Sequence, residues 1–163
     1  MAIAGAFALV PMGPSRAYAV FYDPDLTVEQ LWVVISAEAS WSRVVPVVWL
    51  QADTCAPRAD GVPVICVHAD TSEHMSEKYG GWGVVGLTRR SGDGSPTDVG
   101  VAFDEVDDAV AVTAHELGHA QGIGHALPLH CFGSVMYPYT GVCQTNHPTL
   151  IDATAWYLQL GRY

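Results

Sequence analysis

Residues 115–125 read HELGHAQGIGH: three histidines and one carboxylate, then glycines at 122 and 124 where a helix would otherwise run on. No other stretch restricts the fold as tightly. His115 and His119 are four apart, so on a helix both imidazoles leave the same face, one turn from each other. Glu116 is rotated about 100° around the axis, which sets it beside that spot without aiming it there. Straight continuation of the helix would carry a third histidine off this face, so the chain has to turn back. Gly122 can enter left-handed backbone without steric cost, and the spacing predicts that the helix ends there and returns His125 to the other two. Three convergent imidazoles form the donor set of a catalytic zinc site, in which a fourth position stays open. Ordinary core histidines are the plain alternative, but grouping three with an acid on one turn meets no packing need.

A reversal of this kind must be anchored in a core, and the composition supplies one. The 163 residues suit a single domain, with 50% hydrophobic and only 15% charged residues, as expected of a packed chain and not a disordered one. Seven basic against seventeen acidic residues leave a formal charge of −10, which repels phosphate backbones and anionic membrane surfaces, so nucleic acid is not an expected partner. No apolar run reaches the roughly 20 residues that span a bilayer, so no transmembrane segment is expected.

The opening, MAIAGAFALVPMGPSRAYA, is apolar and ends in Ala17-Tyr18-Ala19, similar to a signal peptide with a small-residue cleavage site but without the basic region that usually precedes it. Residues 1–15 read as a leader or partial export signal and 16–163 as the folded domain, secreted to the extracellular space. The four cysteines fall into two close pairs, which suits an oxidising compartment. Of the three connectivities, Cys55 with Cys66 and Cys131 with Cys143 is favoured.

Five segments have the β-branched and aromatic character of strands: AYAVFYD (17–23), VVPVVWLQAD (44–53), VPVICVHAD (62–70), WGVVGLT (82–88) and DVGVAFDE (98–105). Thr27 caps a helix over TVEQLWVVISAEASWSRV. DDAVAVTAHELGHAQ (107–121) is apolar nearly all round, as a buried helix is, with Asp104, Asp107 or Asp108 as its N-cap. LIDATAWYLQLG (150–161) reads as a closing helix. His68, Asp70 and His74 read as exposed polar loop residues, with a small metal site as the alternative.

The extended histidine motif, followed by Ser134-Val135-Met136-Tyr137-Pro138, resembles the metzincin zinc endopeptidases, in which a methionine-containing turn lies beneath the metal. Within that clan the chain looks most like the matrixins: YAVFYDPDL is similar to their first strand, WSRVVPVVW to the end of their first helix and second strand, GVVGLT to their substrate-binding edge strand, and DVGVAFDE to their fifth. The resemblance implies an α+β, sandwich-like zincin fold: a twisted five-stranded mixed sheet, two long helices, an active-site cleft and a C-terminal helix.

It also implies a monomeric zinc-dependent endopeptidase acting on proteins or peptides. One catalytic zinc would sit on His115, His119 and His125, Glu116 would be general base toward a water activated by the metal, and Met136 would form the Met-turn. Val84, Val85, Gly86 and Leu87 would bind extended substrate, while Pro138, Tyr139 and Thr140 would wall the pocket after the cleaved bond. Asp104 and Asp107 match calcium-holding carboxylates, making calcium a candidate second metal. The matrixin structural zinc is not expected, because Leu87 and Ala102 stand where its histidines would be. Nor is tyrosine ligation, because Pro138 stands two after Met136. The competing class is a zinc-binding module without turnover, or a toxin or virion component with one narrow target.

Overall fold

The computed structural model describes residues 15–79, 84–91, 95–127, 133–138 and 145–160. Its strands are β1 (Arg16–Tyr22), β2 (Val47–Gln51), β3 (Val64–Ala69), β4 (Gly86–Arg89) and β5 (Thr97–Val101). They form one sheet in the order β2-β1-β3-β5-β4. The first four run parallel, and β4 closes the edge antiparallel to β5 with Gly86 opposite Val101 and Arg89 opposite Asp98. Interior parallel strands are covered on both faces and therefore read as continuous apolar runs. VICV of β3 is such a run, and all four of these residues are buried.

Helices α1 (Val28–Ser42) and α3 (Ala109–Ala120) pack against each other. Thr27 and Gln30 form a capping box that starts α1. Trp41 near its end is fully buried, and its indole N–H donates to the Ala114 carbonyl of α3 at 2.8 Å. Asp108, one of the three expected candidates, is the N-cap of α3 and accepts from Ala111 N at 2.9 Å. Trp41, Val112, Leu117, Met136 and Trp156 of the closing helix α4 (Leu150–Leu160) belong to one continuous core. A smaller cluster of Ala19, Ala52, Val64 and Cys66 adjoins the expected Cys55–Cys66 disulfide, whose Cα atoms are 5.6 Å apart. A loop of that length closed by a bridge contributes on the order of 3 kcal/mol in the chain-entropy account.

The α+β class with a mixed five-stranded sheet is as expected, with three adjustments. A further helix, α2 (Ser72–Tyr79), stands where polar loop residues were expected. Thr71 Oγ1 accepts from His74 N at 3.1 Å, and Glu105 accepts from both the backbone and the hydroxyl of Ser72. Met75 is the one fully buried apolar side chain among this helix's described side chains, too little to imprint a helical period on the sequence. Second, β4 begins at Gly86, so Val84 and Val85 precede the strand, although the Val85 carbonyl still accepts from Ala102 N at 3.0 Å. Third, Phe103–Glu105 is a 3-10 turn and not a continuation of β5.

Candidate metal centre

His115 and His119 leave α3 on one side with their ring centroids 4.6 Å apart. The helix ends in a Schellman turn: Gly122 N donates to His119 O at 2.9 Å and Ile123 N to Gly118 O at 3.0 Å, with Gly122 at φ +97°. The reversal brings the His125 ring to 5.2 Å from His115 and 4.6 Å from His119. One ligand atom from each of the three lies within 4.8 Å of the others. Among the described residues this is the one group of three or more His, Cys, Asp or Glu side chains that gathers in this way. His68, Asp70 and His74 do not: Asp70 engages His74 Nδ1 at 2.6 Å, while His68 Nδ1 lies 3.4 Å from Asp98 across the strand pair.

The chain fixes the direction of the rings. His115 Nδ1 lies 2.8 Å from the Val135 carbonyl, and His119 Nδ1 lies 2.7 Å from that of Ile123. A carbonyl only accepts, so each Nδ1 carries the proton and Nε2 keeps its lone pair for a cation. Burial, with the neighbouring imidazoles adding to it, lowers the His115 pKa to about 4, and burial also lowers His119 and His125. All three rings are therefore neutral at pH 7, the protonation state a metal requires. Neutral imidazole in threes, joined by no thiolate or carboxylate among the described residues, fits zinc in its three-ligand mode better than a hard cation.

Glu116 is 5% exposed, and burial pushes its carboxyl up to about 7. The Thr88 hydroxyl of β4 donates to its Oε2 at 2.6 Å, opposing that rise. Gly86 makes the close approach possible, since a Cβ there would stand 2.7 Å from Glu116 Oε1 and 2.8 Å from Val112 Cγ1. Of the expected substrate-binding residues, Val84, Val85, Gly86 and Leu87 are half-buried beside the helix, and Pro138 is exposed. Tyr139, Thr140, Cys131 and Cys143 lie outside the described residues. Asp104 and Asp107 are exposed, in and just after the 3-10 turn, and Ala102 is buried.

Met136 is buried, and Gly118 makes room for it: a Cβ on Gly118 would overlap the Met136 sulfur and lie 2.9 Å from Trp41 Cζ2. Met136 O accepts from Ala126 N at 2.8 Å, which ties the third-ligand segment to this turn. Asp152, 1% exposed in the first turn of α4, holds the turn from the other side. It accepts from Val135 N at 3.2 Å, Thr149 N at 2.8 Å, Met136 N at 3.4 Å and the Ser134 hydroxyl. Thr88, Gly118 and Asp152 were not singled out in the sequence. Thr149-x-x-Asp152 is a capping-box pattern that signals the start of α4, but nothing in it announces the turn.

No protein-family model matches the chain, and no curated protein does. Among solved structures, it is similar to archaemetzincin from Methanopyrus kandleri, with TM-score 0.49 and 18% identity over 94% of this chain and 100% of that one.

Proposed function

We propose that the chain is a zinc-dependent endopeptidase of the metzincin type. The observation that carries this reading is the convergence of His115, His119 and His125 beside a buried Glu116 and an open sheet edge. Zinc held by these imidazoles supplies Lewis acidity toward a peptide carbonyl and lowers the pKa of water. Glu116 takes a proton from the attacking water and returns it to the departing amine. Thr88 keeps that carboxylate under the strand. The outer edge of β4 offers main-chain groups to an extended peptide, which holds substrates without regard to most side chains.

Cleavage of a denatured protein by the purified chain, alongside its zinc content, tests the proposal. We expect about one zinc per chain, activity abolished by a chelator, and a loss of about 10²- to 10⁴-fold in Glu116→Gln with zinc retained. Zinc uptake without cleavage of any peptide would instead establish a binding module.

A further inference from the structure

Side chains two apart on a strand share a face. On β4 and its continuation, Gly86, Thr88 and Arg90 turn toward α3: Gly86 against Val112 and Glu116, Thr88 onto the Glu116 carboxylate, and Arg90 over Gly122, with Nη1 3.0 Å from where a Cβ of residue 122 would stand. Arg89 faces the other way, and its Nη2 lies 3.6 Å from Asp98 Oδ2. Arg90 has no such carboxylate among the described residues. Three of the carbonyls that end α3 already accept from the chain itself: Leu117 O from Gln121 N, Gly118 O from Ile123 N and His119 O from Gly122 N.

The Arg90 guanidinium borders a concavity of about 400 Å³ that it shares with Thr88, His119, Gly122 and Gln159. Among the described residues no acidic side chain lines this space, in a chain with seventeen acids to seven bases. One wall carries the His119 imidazole and another a cation with no carboxylate partner among the described residues. A guanidinium with free donors is matched in shape and charge by a carboxylate.

We infer that Arg90 is a specificity-determining residue that selects peptides carrying Asp or Glu about two residues from the scissile bond. The spacing follows from the strand rise: Thr88 marks the reacting centre through Glu116, and Arg90 lies roughly 7 Å further along β4. The inference rests on the peptidase reading above. Arg90 is exposed, so the preference amounts to about fivefold and weakens as salt is raised.

Two measurements test it on the full, zinc-loaded chain. In a peptide-library cleavage profile, Asp and Glu are expected over Asn and Gln by about fivefold at one position. That preference is lost in Arg90→Ala and reversed toward Lys and Arg in Arg90→Glu. Cleavage with no acidic preference overturns the inference and leaves the peptidase reading intact. So does a preference that survives in Arg90→Ala, or a change in thermal stability alone, as expected if Arg90 merely opposes the negative end of α3.

The second measurement does not depend on turnover. Fluorescein-labelled alanine hexapeptides with a single Glu at each position, and their Gln counterparts, are bound to zinc-loaded Glu116→Gln and followed by anisotropy. One Glu peptide is expected to bind about fivefold tighter than its Gln partner, and this difference disappears with Arg90→Ala. Equal affinities throughout overturn the inference even if no peptide is ever cleaved.

Discussion

Gly118 lies between the two helical histidines in sequence and faces Met136 and Trp41. Gly118→Ala is expected to destabilise the fold by about 1–3 kcal/mol through overpacking, measured by denaturant unfolding. The helix-propensity gain of alanine is smaller than that cost. Glu38 is a second case, buried on α1 and accepting from the Tyr22 hydroxyl at 3.0 Å. Burial raises its pKa from 4.5 to about 7, so between those values the folded state keeps a proton that the unfolded chain has released. The resulting stability is fully present below pH 4.5 and is lost as pH rises through 7. Integrated over that interval the loss is about 3 kcal/mol. Glu38→Gln is expected to flatten the fall in unfolding free energy between pH 5 and pH 8, relative to the parent, by about that amount. Parallel profiles would show that Glu38 is ionised in the fold throughout.

The end of α3 and the start of α4 act on the site from opposite sides. Gly122→Ala places a Cβ in left-handed backbone and against Arg90, at a cost of about 1–2 kcal/mol. A drop in thermal stability with weaker zinc retention is the expected result. Asp152→Ala removes the buried carboxylate that accepts from Val135 N and the Ser134 hydroxyl, and the turn they belong to orients His115 through the Val135 carbonyl. Zinc affinity is expected to fall about 10- to 100-fold, measured by competition with a chromophoric chelator. These two elements were unequally legible in the sequence. His115, His119, Gly122 and His125 encode their geometry in spacing alone, because a helix and a glycine turn translate sequence distance directly into direction. Asp152 acts on backbone N–H groups 16 and 17 positions away, and backbone groups carry no sequence signal. The helix α2 left no trace for a related reason: its packing is largely polar, and Glu105, from far along the chain, helps to start it.

Across the whole molecule all five strands were anticipated near their places, β4 least accurately because its four residues, GLTR, are not an apolar run, while their order was not legible, since pairing β4 antiparallel to β5 depends on contacts that no local pattern records. The site draws on α3, its following turn, the Met136 segment and α4, so a metal held there would couple to the stability of all of them. With free zinc at about 1,000 times its dissociation constant, linkage adds about 4 kcal/mol. Chelation is then expected to lower the thermal midpoint by on the order of 10 °C, by calorimetry with and without chelator. An unchanged midpoint would mean that the imidazoles do not grip a cation. The acceptor for His119 Nδ1 is the Ile123 carbonyl, which lies on the far side of the reversal at Gly122. A graft that carried only the HELGH segment into another scaffold would thus inherit a swivelling second imidazole as well as lacking the third. The smallest transplantable unit of this grip is the helix together with its returning limb.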